Sequence, residues 1–304
     1  TKLHVKLSAA PGAGKSYAFT LRLNGADTAL TTTISDTATT VSDDSNSVTV
    51  AAGDRVALKI VPTGTPTSVQ ERHAIMFTGT NANESLLLAG TRNTNLSALA
   101  TDYVLCHGSA PPNATETNRR EIIPTGGTIK NLYINLGTAP GVGSSRTFTL
   151  YKNGVATALT VTISGTATTG NDTANSVAVV AGDDISLEGV IGVAPAASRL
   201  RHGFTFSATT DGQALILGNT GANNPGAPDT FFYKMVSSTG NGNQDETTML
   251  SYGLSMTLSK LYVKLNYEPA TGSTLTWSTR VGQASPAGNL SVAVTGTAVT
   301  GSDT

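Results

Sequence analysis

The sequence has little charge, few aromatic residues and almost no cysteine. Only 13% of its residues are charged and 5% are aromatic, and the formal net charge is −1. The 19 Lys plus Arg and 20 Asp plus Glu form no basic block, which disfavours nucleic acid or an anionic membrane as a partner. Cys106 is the only cysteine, so an intramolecular disulfide is excluded and burial with backbone pairing must stabilise the fold.

Long apolar runs are missing as well. No run approaches the roughly 18 to 20 apolar residues that a membrane-spanning helix needs, so membrane insertion is not expected. The amino-terminal residues lack the charged-then-apolar order of a signal peptide, although a leader could precede the sequence given. Threonine is the most frequent residue, and with Ser, Ala, Gly and Asn it favours β-structure and tight turns.

The strongest feature of the sequence is an internal repeat. The segment Phe19–Leu30 (FTLRLNGADTAL) recurs as Phe148–Leu159 (FTLYKNGVATAL), and the asparagines of the two Asn-Gly pairs are 153 minus 24, or 129, residues apart. The register continues without a gap to Asp54 and Asp183, and most positions between are identical. Self-similarity at a fixed period is the signature of duplicated structural units.

A third copy begins near Lys260. Its segment Lys260–Leu265 (KLYVKL) matches Lys2–Leu7 (KLHVKL) and Asn131–Leu136 (NLYINL), and the match continues to the last residue after a two-residue insertion. The chain therefore holds about 2.4 copies of the unit. We expect a window on a longer array, or a chain whose end units are completed by neighbours.

Each copy has the pattern of β-strands. Apolar and polar residues alternate in Lys2–Leu7 and Asn131–Leu136, which predicts strands with one buried and one wet face. The Asn-Gly pairs at 24–25 and 153–154 predict hairpins. Roughly eight short strands per copy, with no amphipathic helix, predict an all-β fold of tandem antiparallel β-sandwich repeats that are jelly-roll-like.

The phase of the repeat sets the predicted domains. Small polar stretches at Thr78–Asn83 and Ser207–Gly212 have the composition of linkers. They predict a complete unit at 84–212, flanked by the carboxy-terminal part of a unit at 1–83 and the amino-terminal part of the next at 213–304. An alternative phase cuts near Gly126–Gly127 and begins each unit at the strand of the Lys2–Leu7 type.

Ala9–Ser16 (AAPGAGKS) matches the loose phosphate-loop pattern, whose backbone amides cradle phosphates. Such a loop needs a helix after it, whereas an alternating strand follows here, and the second copy has Ser144 where Lys15 stands. We therefore interpret the segment as a turn joining two strands, and we expect no nucleotide or other cofactor.

His73 and His202 occupy equivalent positions, and each shares a strand face with apolar residues. Neighbouring sequence offers no second ligand, so we interpret them as satisfied histidines at a sandwich rim rather than as metal ligands or general bases. Cys106 corresponds to Met235, which predicts an apolar core position rather than a catalytic thiol. We assign no catalytic residue.

Acidic and aromatic residues allow two further alternatives. The acidic residues are predicted to lie in turns, where Asp typically accepts backbone N–H groups, and we therefore assign no metal site. The alternative is that these carboxylates bind calcium. They are Asp43, Asp44, Asp54, Asp172, Asp183, Asp184 and Asp303. Tyr133 and Tyr262 are predicted to point outward, where cross-strand pairing is expected and stacking on a sugar is the alternative.

The string PGxGxSxxFTLxxNGxxTALTxTISxTATT, followed by NSVxVxAGD, is nearly complete in Pro11–Asp54 and Pro140–Asp183. It resembles tandem β-sandwich repeats of uncharacterised bacterial and phage-associated proteins, including surface-appendage and tail-fibre-like chains. The resemblance covers all three copies, and weakens in the third, where Asn-Gly is missing. It implies a fibrous or appendage role and supplies no catalytic residues.

Two functions follow as hypotheses. The first is a structural protein of an extracellular filament or fibre, in which repeats stack head to tail by self-association, with strand exchange between units. The second is a carbohydrate-binding or adhesive module that takes a glycan on a cell-surface or phage tail fibre. An enzyme is not expected, because no acid–base or nucleophile constellation recurs in the copies. Either function places the chain outside the cell, at the cell surface or on a virion.

Overall fold

A computed structural model describes residues 1–220, 257–279 and 290–304 of the chain. Within these ranges the chain forms twenty β-strands and one short 3₁₀-helix, Glu116–Arg119, but no α-helix. The predicted all-β class with antiparallel sheets is therefore confirmed. In the same ranges, no helix is long and apolar enough to cross a membrane.

The chain divides into two compact units, one built on residues 1–78 and the other on residues 79–220 together with 258–304. We call residues 1–78 the amino-terminal region, residues 79–220 the central region, and the described part of 258–304 the carboxy-terminal segment. The division between Thr78 and Gly79 lies in a stretch that the sequence marks as a linker. The extents 1–83, 84–212 and 213–304 stay predictions.

The amino-terminal region has six strands in two antiparallel sheets, ordered β4-β1-β6 and β3-β2-β5. The strands are β1 (Leu3–Leu7), β2 (Gly12–Leu23), β3 (Ala26–Asp36), β4 (Thr40–Asp43), β5 (Val56–Thr63) and β6 (Glu71–Ile75). Alternate apolar side chains of both sheets meet in one small core. Its fully buried members are Leu3, Val5, Leu7, Phe19, Leu21, Leu30 and Ile34.

The central region has ten strands in two larger sheets. The strands are β7 (Glu84–Gly90), β8 (Asp102–Val104), β9 (Gly108–Ser109), β10 (Glu121–Ile122), β11 (Gly127–Leu136), β12 (Gly141–Lys152), β13 (Val155–Gly165), β14 (Thr169–Val179), β15 (Asp184–Ile191) and β16 (Leu200–Ala208). One sheet has the order β10-β15-β12-β13, with β8 also on β15, and the other has the order β14-β11-β16-β7-β9. Only β7 and β9 pair in parallel. Residues of both sheets, including Phe148, Phe204 and Phe206, form the core.

The carboxy-terminal segment contributes four strands to the second unit. They are β17 (Leu261–Lys264), β18 (Ala270–Ser278), β19 (Ser291–Gly296) and β20 (Thr300–Asp303). β17 pairs with β20, and β18 pairs with β19, both antiparallel. Val292 and Val294 of β19 are buried.

One strand register recurs in all three parts of the chain. The equivalent strands β1, β11 and β17 each lie antiparallel to a strand that ends in aspartate or contains one. The matching pairs are Leu3 with Asp43, Leu132 with Asp172, and Leu261 with Asp303. The residue before each of these leucines has a positive φ, and the three are Lys2 (52°), Asn131 (55°) and Lys260 (58°). Equivalent sequences therefore form strands with the same local geometry.

The two hairpins predicted from Asn-Gly pairs are confirmed. Asn24 and Gly25 have φ values of 50° and 88°, and Asn153 and Gly154 have values of 52° and 78°. These are the left-handed conformations that a tight two-residue hairpin requires at both central positions. The turns join β2 to β3 and β12 to β13.

Candidate functional site

Lys15 lies inside β2, in a strand rather than before a helix. The strand begins at Gly12 with a bulge, since Gly12 pairs with Asp36 but Ser16 pairs with Ser35. The segment predicted as a turn between two strands is thus the bulged start of the second strand. Because β2 continues to Leu23, the helix that a phosphate loop needs does not follow.

The two equivalent histidines lie in different surroundings. His202 is buried in the central region, where its Nε2 donates to the carbonyl of Leu105 over 2.8 Å and burial lowers its pKa to about 4. His73 is exposed on β6, and its hydrogen bond with Glu71, 2.8 Å long, raises its pKa. His202 is therefore an interior residue, not the rim residue that the sequence predicts.

A buried carboxyl group lies beside the cysteine. Glu121 on β10 is 1% exposed, and its Oε2 accepts the backbone N–H groups of Cys106 (2.6 Å) and His107 (2.9 Å). Burial raises the Glu121 pKa to about 8 and raises the pKa of the fully buried Cys106 thiol. The predicted core position of Cys106 is confirmed. Together with His202, Glu121 anchors the backbone of residues 105–107, which indicates a structural role.

The predicted turn-capping role of aspartate is confirmed at Asp43 and Asp172. Each carboxylate accepts one N–H from a neighbouring strand and two from the residues that follow it. The donors are Thr31, Ser45 and Asn46 for Asp43, and Thr160, Ala174 and Asn175 for Asp172, all at 3.0–3.1 Å. Among the described residues, no three His, Cys, Asp or Glu side chains converge on a metal-sized site.

The outward tyrosines face small or polar neighbours. Tyr133, which is half-buried on β11, lies opposite Asn171 on β14 and Gly203 on β16. Tyr262 on β17 lies opposite Ser302 on β20. Cross-strand pairing therefore occurs without a second aromatic ring at these positions.

An ion pair joins the carboxy-terminal segment to the central region. The Asp184 side chain at the start of β15 is 2% exposed, and its Oδ2 accepts a hydrogen bond from Nζ of Lys264 on β17. Lys260, four residues earlier, donates to Oγ1 of Thr125 over 3.1 Å. β17 also lies against β10. We call these contacts the junction.

A second layer of charge supports the junction carboxylate. Arg120 Nη1 lies 3.6 Å from Asp184 Oδ1, and the same guanidinium holds Glu116 through two hydrogen bonds of 3.1 and 2.9 Å. Ser186 Oγ donates to Glu116 over 2.9 Å. The charges alternate in sign from Glu116 through Arg120 and Asp184 to Lys264, so the buried carboxylate has positive partners on two sides.

The amino-terminal region exposes apolar side chains at positions that are buried in the central region. The exposed fractions are 46% for Val56, 39% for Ile75 and 50% for Phe77, against 1% for Ile185, 1% for Phe204 and 0% for Phe206, each 129 residues later. Within the described residues, β5 pairs only with β2 and β6 only with β1. In the central region, β8 and β10 pair with β15, and β7 pairs with β16.

Sequence reasoning missed Glu121, Arg120 and the pairing of Asp184 with Lys264. The lysines at the first and fifth positions of KLYVKL were a usable signal, because the second copy has asparagine at both positions, Asn131 and Asn135. No protein-family model matches the chain, and none of the curated proteins matches it.

Proposed function

We propose that the chain is a structural protein of an extracellular filament or fibre, built from head-to-tail β-sandwich repeats of 129 residues. The observation that carries the proposal is the junction, in which a lysine of one copy pairs with a buried carboxylate of the copy before it. The proposal places the chain at a cell surface or on a virion and gives it no catalytic role.

We also infer a jelly-roll arrangement for the repeat. Eight strands of the central region support it: β7, β10 and β11 to β16. Numbered in chain order, they pair as 1-8-3-6 in one sheet and 2-7-4-5 in the other. These strand orders are those of a double-sheet jelly roll, in which two Greek keys wrap around one core. The short strands β8 and β9 are additions at the sheet edges.

The recurring registers support duplication of this unit along the chain. The pairing of β1, β11 and β17 with their aspartate-bearing strands has the same register in all three parts. A one-residue slip would turn every side chain to the other face of its sheet, so the shared register preserves the same inward-facing set.

The chemistry of the junction suits a contact that fixes the order of units. A buried carboxylate is costly unless a positive group neutralises it, so a unit that lacks the Lys264 ammonium would leave Asp184 with only Arg120 nearby. Lysine at positions 260 and 264 thus favours one docking register. Apart from such pairs, the low charge of the surface limits repulsion between stacked units.

Electron microscopy of native material tests the proposal. A compact repeat has a radius of gyration near 14 Å, so filaments should show an axial repeat on the order of 35 to 45 Å per unit. Lys264→Glu should loosen the carboxy-terminal segment and speed its proteolysis, whereas Lys264→Arg, which keeps the positive charge beside Asp184, should leave the resistance unchanged. Lys59→Glu is the control, because Lys59 is about as exposed as Lys264 but pairs with Asp27, whose carboxylate is exposed. Dispersed monomers in native material would contradict the proposal.

Glycan binding on the outer sheet face is the second candidate. Tyr133 lies opposite Gly203, over which the 48% exposed side chain of Leu88 lies, so Tyr133 and Leu88 offer an apolar surface on which a sugar can stack. Asn135, two residues along β11, offers an amide to sugar hydroxyls. A glycan array probed with the chain should then give signals that Tyr133→Ala abolishes, whereas signals unchanged in that variant would exclude this face.

A further inference from the structure

We infer that the edge of β6, which pairs only with β1 among the described residues, is a strand-accepting site, and that its partner is another repeat presenting a strand with the chemistry of Glu84–Gly90 (ESLLLAG). The inference rests on the proposed repeat architecture and goes beyond the junction, since it concerns a different surface.

The equivalent edge of the central region shows what such a site holds. There β7 pairs along β16, with Arg201 opposite Gly90, Gly203 opposite Leu88 and Phe206 opposite Ser85. Leu87 of the added strand is fully buried in the core. The segment 79–126, which supplies β7, β8 and β10, has no counterpart among residues 1–78.

Within the described ranges, the edge of β6 away from β1 is unpaired and has both requirements for accepting a strand. Unpaired N–H and C=O groups along an edge strand form hydrogen bonds with an incoming strand, and apolar pockets beside them select alternate side chains. Phe77 and Ile75, exposed by 50% and 39%, supply the apolar surface. Their counterparts Phe206 and Phe204 become fully buried once β7 and its neighbours are in place.

The register of the docked strand follows from the central region. Subtracting 129 from position 203 places Ala74 opposite Leu88 of the incoming strand. Leu88 directs its own N–H to His107 rather than to β16, over 3.3 Å, so this position is a non-hydrogen-bonded pair. In such pairs the Cα atoms lie about 4.5 Å apart, close enough for a disulfide between two introduced cysteines.

The direct test uses fluorescence anisotropy to measure the binding of a synthetic peptide of residues 79–104 to the full chain. We expect saturable binding that Phe77→Lys weakens tenfold or more, because this residue would lose its burial against the peptide. Ile75→Lys is a second variant, and both residues are exposed, so neither change should unfold the chain. Val142→Lys, at a side chain that is 90% exposed in the central region, is the charge-matched control.

Two outcomes would overturn the inference. The first is the absence of binding. The second is binding that Phe77→Lys and Ile75→Lys leave unchanged, because the peptide would then be replacing the chain's own residues 79–104 in the central region. The register is tested by mixing an Ala74→Cys chain with a Leu88→Cys peptide under mild oxidation. Cross-linking is expected at position 74 and not at position 73, because a one-residue slip reverses the faces. The buried Cys106 thiol should not compete.

This test and the test of the filament can fail separately. Peptide binding without filaments in native material would leave the strand-accepting site in place and remove the proposed function. Filaments together with no peptide binding would remove the strand-accepting site and leave head-to-tail stacking. If both hold, excess peptide should shorten the filaments by occupying the edge.

Discussion

The amino-terminal and central regions have matching sequences but place matching residues in different environments. Phe77 is half exposed and Phe206 is fully buried, although the two are 129 residues apart in the same register. His73 and His202 differ in the same way, and their pKa values shift in opposite directions. Strands β7 to β10 account for the contrast, because they cover the central region and have no counterpart in residues 1–78. Burial in this fold therefore depends on which strands are present, and the local pattern alone does not decide it.

The largest expected difference concerns the core aromatic. Phe206→Ala should destabilise the central region by about 3–5 kcal/mol, since it removes a fully buried ring and leaves a cavity. Phe77→Ala should cost less than about 1 kcal/mol in the amino-terminal region, because half of that ring is already in water. Urea unfolding read by hydrogen exchange in each region measures both. Equal costs would show that Phe77 is covered in solution, and the contrast between the regions would be lost.

The histidine pair predicts opposite responses to acid. The folded pKa of His202 is about 4, below the ordinary 6.5, so its contribution to stability is present above pH 6.5 and is lost as the pH falls to 4. The resulting decrease in the free energy of unfolding is about 3 kcal/mol at most. His107, whose folded pKa is also about 4, acts in the same direction. His73 has a raised pKa, so its contribution is fully present below pH 6.5 and is lost as the pH rises through the raised value.

Ring-proton NMR titration measures the two histidines separately. We expect His202 to titrate near pH 4 and His73 above pH 6.5. The Glu121→Gln variant is the proper background for the stability measurement, because Glu121 titrates in an overlapping range with the opposite sign. A His202 titration near 6.5 would mean that its ring is hydrated, contrary to its burial.

Glu121 predicts an alkaline weakness of the central region. Its folded pKa is about 8, above the ordinary 4.5, so the neutral form stabilises the fold at low pH and this contribution is lost as the pH rises to 8. Between pH 6.5 and 8, above the range of the buried histidines, the loss should be about 2 kcal/mol. Glu121→Gln should abolish the dependence, measured by urea unfolding at each pH. The amino-terminal region is the internal control once His73→Gln has removed the histidine that loses its contribution as the pH rises above 6.5. A loss of equal size in that region of the His73→Gln variant would argue against Glu121 as the cause.

The sequence predicts well those features that depend on neighbours in the chain. Alternation gives the strands, Asn-Gly gives the two hairpins, and aspartate in the turns gives the caps. All of these follow from local backbone chemistry, which is the same in each copy.

Features that depend on distant strands cannot be predicted from local sequence patterns. The sequence near His202 differs from that near His73 in having Leu200 where the first copy has Glu71. The hydrogen-bond partner of the buried His202 is Leu105, which lies 97 residues earlier and cannot be identified from that difference. The partner of Asp184 lies 80 residues away in Lys264, and the unpatterned residues before β10 give no sign that Glu121 is buried. Predicting these contacts requires the sheet order, which periodicity alone does not supply.

The smallest expected difference concerns the feature that the two regions share most closely. Asp43→Ala and Asp172→Ala should each cost about 1–3 kcal/mol in their own region, because each removes the acceptor of three backbone N–H groups. The two costs should agree within about 1 kcal/mol, since the donors and distances match while the surrounding strands differ. Asp44→Ala, at an exposed side chain that bonds only Ser42 and His4 among the described residues, is the control and should cost much less. Region-resolved hydrogen exchange in urea provides the measurement. A much larger cost at Asp172 would mean that the completing strands stabilise the turn as well as the core, and that even the shared local structure depends on them.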